Sequence, residues 1–185
     1  MLKLILNKKY NPLFSSEARY FIITGGRGSG KSYAVTVFLT LLTMAKGIRI
    51  LFTRFTMTSA HLSIIPEFLE KIGLLGFDEV FSINKAEVLN QSNNSDILFR
   101  GIRTSAGNQT ASLKSLQGIS TWCLDEAEEL VDENIFDTID LSIREKDIQN
   151  RIILILNPVT KEHWIYKRFF EDKGVEGGFN GVKDN

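Results

Sequence analysis

Tyr20-Phe21-Ile22-Ile23-Thr24-Gly25-Gly26-Arg27-Gly28-Ser29-Gly30-Lys31-Ser32 runs from an apolar stretch through a glycine-rich loop into a Lys-Ser pair. An apolar segment that suits a helix, Tyr33 to Ala45, follows at once. Strand, glycine loop, Lys-Ser and helix in that order make a phosphate-binding P-loop. Backbone N–H groups have to curl around phosphate oxygens, so side chains must be missing where the chain approaches closely. The helix N-terminus adds unpaired N–H groups and a positive dipole end. Gly25, Gly26, Arg27, Gly28, Ser29, Gly30, Lys31 and Ser32 are therefore the candidate nucleotide-binding residues. Lys31 is placed to reach the β- and γ-phosphates, and the Ser32 hydroxyl to hold Mg²⁺. A flexible glycine turn ahead of a helix is the competing reading.

A chain of 185 residues is one domain by size, with room for a full core. Its 43% hydrophobic and 24% charged residues are ordinary for a soluble globular protein. The longest apolar-rich stretch, Ala34 to Met44, is too short to span a bilayer, so no membrane partner is expected. The single cysteine, Cys123, cannot close an internal disulfide, which fits a cytoplasmic chain. Net charge is zero, but residues 1–75 carry +7 and the remainder −7. Much of the acid lies between Asp125 and Asp147, and reads mostly as a solvated helix face. Zero net charge gives no support for strong autonomous DNA binding.

In chain order, residues 2–6 read as a short edge strand and Asn7 to Ala18 as a polar loop broken by Asn11-Pro12. Leu13, Phe14, Arg19 and Tyr20 lie just upstream of the glycine loop, where an adenine ring could lodge; Phe14 as plain core is the alternative. The helix after the loop is expected from Ser32 to Lys46, with Gly47 as its C-cap. Arg49 to Thr53 reads as a strand, and Ser59 to Ile72 as a helix that Pro66 kinks or breaks. Glu87 to Leu89 and Ile97 to Arg100 flank a polar segment suited to a hairpin turn.

Thr121-Trp122-Cys123-Leu124 suits a buried strand and runs straight into Asp125-Glu126. After a P-loop, the first acid at such a strand end supports Mg²⁺, and the adjacent glutamate can polarise an attacking water. Asp125 joins Ser32 as a metal candidate, and Glu126 is the catalytic candidate. Glu128 and Glu129 read as solvated. A further strand, Arg151 to Leu156, ends in Asn157-Pro158, which is either a γ-phosphate sensor or a turn starter.

Strands and helices alternating around a P-loop predict an α/β fold, a mostly parallel sheet flanked by helices. An acidic pair in place of Asp-x-x-Gly selects the ATPase branch with a catalytic glutamate, the RecA-like or ASCE branch. Asn84-Lys85-Ala86-Glu87 resembles a guanine-reading segment, but it ends in the wrong acid and precedes the acidic pair.

This P-loop with an internal arginine resembles the ATPase domain of the large terminase subunit of tailed bacteriophages. The resemblance extends to Arg54 after the second strand, Ile97-Leu-Phe-Arg-Gly101 and Lys114-Ser-Leu-Gln-Gly118. It continues through Asn157-Pro-x4-His163-Trp164 and Lys167-Arg-Phe-Phe170. The resemblance implies a motor that hydrolyses ATP to translocate double-stranded DNA into a procapsid in the cytoplasm of an infected bacterial host. It implies ATP and Mg²⁺ as ligands, and DNA, a portal protein and a small terminase subunit as partners. It also implies a homo-oligomer that forms a ring when assembled, with a monomer as the form expected in isolation. Asn157 falls where the family has its coupling motif, and Arg27 where some members carry a catalytic arginine. Arg100 and Arg103, at the end of a predicted strand, are candidates for an arginine supplied in trans to a neighbour.

Residues 1–173 are expected to form the ATPase domain, and 174–185 a tail or the start of a linker. Large terminases normally continue into an RNase H-like nuclease domain; none follows here, which implies either excision from a longer protein, the favoured reading, or dependence on a separate nuclease, and no nuclease activity is expected of these residues. Two other function classes stay open. A RecA-like helicase or repair ATPase would respond to single strands; a nucleotide-gated, non-catalytic interaction module would bind ATP without turnover.

Overall fold

The computed structural model describes residues 5–57, 60–104, 107–108, 113 and 116–176. Among these residues eight strands form one sheet: β1 (Tyr20–Thr24), β2 (Arg49–Thr56), β3 (Phe81–Ile83), β4 (Glu87–Asn90), β5 (Asp96–Thr104), β6 (Gly107–Asn108), β7 (Thr121–Asp125) and β8 (Arg151–Leu156). Their order is β1-β8-β7-β2-β5-β4-β3, with β6 paired to β5. The five strands from β1 to β5 in that order are parallel; β4, β3 and β6 add antiparallel edges. The mostly parallel α/β sheet expected from the sequence is therefore present, with β8 lying between the P-loop strand and the acidic strand.

Alternate residues of the parallel strands feed two cores. Ile50, Phe52, Cys123, Ile153 and Ile155 face one side, where α2 (Lys31–Leu42) and α3 (Ala60–Leu75) supply Phe38, Leu39, Phe68 and Ile72. Leu51, Trp122, Leu124, Ile152 and Leu154 face the other, against Phe136 and Ile139 of α4 (Glu133–Asp140) and Ile165 of α5 (Trp164–Tyr166). Burial on both faces is why β7 and β8 read as continuous apolar runs. Phe68 packs edge-on against Phe52 and Phe99, with ring centroids 5.6 and 5.2 Å away, and each such pair adds about 0.5–1.5 kcal/mol beyond simple burial. The Cys123 thiol is buried, which pushes its pKa well up and leaves it an apolar core group.

Several local expectations are revised. Leu2 to Leu4 lie outside the described residues, and Ile5 and Leu6 form no strand. Asn7 caps the 3-10 turn Lys8–Tyr10 through its side chain and ends any extended run there. A one-turn helix, α1 (Pro12–Ser15), then buries Leu13. Helix α2 stops at Leu42, four residues before Lys46, because the 90–95 turn takes over its end. Asn90 and Asn93 donate to the Thr43 carbonyl, each at 3.0 Å, and the Ser95 hydroxyl donates to Ala45 at 2.8 Å. Those carbonyls have no partner within the helix, and side chains from the hairpin satisfy them. Helix α3 continues through Pro66 to Leu75 without a break. Strand β2 extends to Thr56, and β3, too short to show a period, escapes sequence reading. Asn84 and Glu87 bond to each other at 3.1 Å across the β3–β4 turn, a structural use of that segment.

The acidic stretch is not uniformly solvated. Asp140 is buried, accepting from Arg19 at 2.6 Å and from the Tyr20 hydroxyl at 2.9 Å. Glu133 and Asp137 pair with Arg168. Arg19 and Tyr20 are thus bonded to α4, and neither lines the cleft beside the glycine loop. Phe14 stands edge-on to Phe38 at 5.1 Å, partly exposed.

Candidate active site

The strand register assembles the site. Thr24 lies opposite Leu156, and Ile155 lies opposite Asp125. The next residues along these parallel strands, Gly25, Asn157 and Glu126, therefore emerge side by side at the carboxyl ends of the sheet. Ligands of open α/β sheets bind at that edge. A cleft of about 360 Å³ opens there, lined by Gly26 to Tyr33, Arg54, Asp125, Glu126, Glu128 and Ile155 to Asn157. It brings together Arg27, Lys31, Ser32, Asp125, Glu126 and Asn157 from three separate parts of the chain.

The loop needs its glycines. A Cβ on Gly25 would sit 3.2 Å from the Ser29 hydroxyl, and Gly30 takes a left-handed conformation, φ 81°, at the N-cap of α2. Gly30, the N-cap, has no side chain to cap this helix start, which leaves its first N–H groups facing the cleft for an anion. The Lys31 ammonium is nearly buried and donates to the carbonyls of Gly25 and Gly26 and to the Ser29 hydroxyl. From the far side the Tyr10 hydroxyl donates to the Ser29 carbonyl at 2.9 Å, bracing the loop. Nothing in the spacing of Tyr10 announces that role. Arg27 is exposed at the cleft rim.

On the acidic side, Asp125 is buried, and Arg54 donates to its Oδ2 twice, from Nε at 2.8 Å and Nη2 at 2.6 Å. Glu126 has φ 55° and ψ 45°, a left-handed conformation that costs a non-glycine residue on the order of 1–3 kcal/mol. The strain turns the chain abruptly from β7 into the 3-10 turn Ala127–Glu129, keeping the Glu126 carboxylate in the cleft. Burial pushes the Glu126 carboxyl above its ordinary value; Arg54 opposes this, and the charges of Asp125, Glu129 and Glu128 add to it. A carboxylate with raised proton affinity is a better acceptor for a proton from water.

Glu128, read from sequence as solvated, is instead part of the site. Its Oε1 accepts from the Asn157 amide at 2.6 Å, and its Oε2 is buried with no partner among the described residues. Its carbonyl accepts from His163 Nε2 at 3.2 Å, while His163 Nδ1 accepts from the Ile165 N–H that begins α5. These two contacts fix His163 as the tautomer protonated at Nε2. Glu129 is exposed, as expected. The missed signal was the tight turn, which swings residue 128 back over the strand ends.

Arg100 and Arg103 do not line this cleft. Arg100 donates to the carbonyls of Phe99 at 2.8 Å and Ala86 at 3.2 Å. Arg103 is exposed on β5, opposite Asn108.

The fold is shared with solved proteins. The large terminase of bacteriophage HK97 superposes with a TM-score of 0.69 at 11% identity, over 92% of this chain and 37% of that one. The large terminase ATPase domain of a Thermus phage gives 0.63 at 17%, over 90% and 70%. In sequence, the PBSX phage terminase large subunit of Bacillus subtilis (strain 168) is 29% identical over 174 residues, 90% of this chain. The chain spans only 38% of that curated relative. Residues 17–183, which include every side chain of the cleft, match the family described as phage terminase large subunit, and the chain belongs to that family.

Proposed function

We propose that this chain is the Mg²⁺-dependent ATPase unit of a motor that drives double-stranded DNA into a viral procapsid. The observation that carries the reading is one cleft holding Lys31 and Ser32 on one wall and Asp125 and Glu126 on the other. The similarity to terminases supports it: the large terminase of a thermophilic bacteriophage has solved complexes with ADP and ATP-gamma-S. The Phi-29 viral genome packaging motor assembly contains a chain of the same fold, with a TM-score of 0.63.

The donor set fits Mg²⁺. Ser32 and Asp125 offer hard oxygen ligands in the same cleft, and the ion usually takes one or two carboxylates plus phosphates and water. When bound, the ion neutralises charge on the β- and γ-phosphates. Loop N–H groups and Lys31 hold the triphosphate. Glu126 orients a water and takes its proton, and Asn157 reports on the γ-phosphate from the tip of β8. Arg27 is a candidate for charge stabilisation in cis, Arg100 and Arg103 for stabilisation of a neighbouring subunit's site in a ring.

Residues 1–173 would form the ATPase domain and 174–185 a tail or the start of a linker. Portal protein and small terminase subunit would be its partners, in the cytoplasm of an infected host. No helix among the described residues is long and apolar enough to cross a membrane. Phosphate release with Mg²⁺ and with chelator tests the reading directly. Glu126→Gln should still bind ATP while turnover falls about 10²- to 10⁴-fold. Turnover within a few-fold of the parent would remove Glu126 as the base.

A further inference from the structure

Strand β2 lies beside β7 with Thr53 opposite Leu124, so the following residues, Arg54 and Asp125, meet at the strand ends. Arg54 spends two donors, Nε and Nη2, on a single carboxylate oxygen of Asp125. Its Nε is also 3.7 Å from Glu126, and the charge of Glu67 on α3 acts on it as well. The Arg54 side chain is 25% exposed and lines the same cleft as Lys31. A cation seated on the carboxylate that would hold Mg²⁺ competes electrostatically with a second cation there. It is also long, and close enough to the cleft to find another anion when a polyphosphate arrives.

We propose that Arg54 makes the cleft selective for metal delivered together with a polyphosphate. By occupying Asp125 it suppresses binding of the divalent ion alone, and it yields that carboxylate when phosphate oxygens offer its guanidinium a replacement partner. Buried Asp125 is never left without a positive partner in this exchange, which avoids the large cost of an unpaired buried charge. The inference rests on the ATPase reading for the identity of the metal site, but its central measurement uses no nucleotide and no turnover.

The test is Mn²⁺ binding to the full chain, followed by electron paramagnetic resonance, with and without ATP-gamma-S. The parent should bind Mn²⁺ weakly alone and much more tightly with the nucleotide. Arg54→Gln should bind Mn²⁺ alone at least about tenfold more tightly, because one neighbouring charge shifts a carboxylate's proton affinity by about one to three decades. Adding Asp125→Asn to Arg54→Gln should erase the gain. Arg54→Lys keeps the charge and should remain within a few-fold of the parent. Unchanged Mn²⁺ affinity in a folded Arg54→Gln chain would overturn the proposal, as would a gain that survives Asp125→Asn. If Arg54→Gln does not fold, the parent still decides: tight Mn²⁺ binding without nucleotide would overturn it. A Mn²⁺ gain in a chain that never hydrolyses ATP would instead sink the ATPase reading and leave the Arg54 assignment standing.

Discussion

The Asn157 amide donates to the Glu128 carboxylate at 2.6 Å, tying the tip of β8 to the turn that follows β7. Through its own carbonyl Glu128 also holds His163, which starts α5. One residue thus links the cleft to a helix packed on the opposite face of the sheet. Glu128→Ala should release Asn157 and lower turnover about ten- to a hundredfold, the scale of loss when a reacting group is misplaced by about 1 Å. The KM for ATP should stay within a few-fold. Glu128→Gln retains an acceptor and should recover most of the rate. Steady-state kinetics of the two variants check this, and equal losses would mean that the charge, not the bond, is needed.

The Tyr10 hydroxyl braces the loop through the Ser29 carbonyl. Tyr10→Phe keeps the buried ring and removes one hydrogen bond, typically worth about 0.5–1.5 kcal/mol. ATP affinity should therefore drop several-fold by calorimetry, while the thermal transition moves only a few degrees. Unchanged affinity would show that the loop holds its shape without the brace.

Glu126 combines a left-handed backbone with a carboxyl whose pKa is raised first by burial and further by the charges of Asp125, Glu129 and Glu128, with Arg54 opposing. Glu126→Gly should relieve both strain and repulsion, raising the unfolding free energy by about 1 kcal/mol. Turnover should vanish with the carboxylate. Denaturant unfolding measured beside phosphate release gives both readouts. A destabilised glycine variant would mean that the Arg54 contact outweighs the strain.

Arg100 and Arg103 lie outside the chain's own cleft, as a group acting on a neighbour must. An arginine supplied in trans contributes roughly 10³- to 10⁵-fold. A subunit carrying Arg100→Ala and Arg103→Ala should be inactive alone and regain turnover when mixed, under ring-forming conditions, with a Lys31→Ala subunit. Mixed rings that form without rescue would eliminate both residues and turn attention to Arg27 in cis.

The loop from Gly25 to Ser32, the acids after β7 and Asn157 could be picked out of the sequence as candidates, because each pattern is local, and the fold brings them to one cleft. A strand buried on both faces must be an apolar run, and the polar residue that ends it stands at the edge where ligands bind. Helix α2 begins at Lys31, one residue before the start read from the sequence, but its end could not be read, since the carbonyls after Leu42 are satisfied by Asn90, Asn93 and Ser95. The same limit hid Glu128, Tyr10 and the true partner of Arg54, which is 71 positions from Asp125. Periodicity reports which face of an element is buried and says nothing about which element lies beside it. Only the strand order β1-β8-β7-β2 put Asn157 between the loop and the acids and set Arg54 against Asp125. That order follows from packing the two helical layers over one twisted sheet, a property of the whole chain that no short stretch carries.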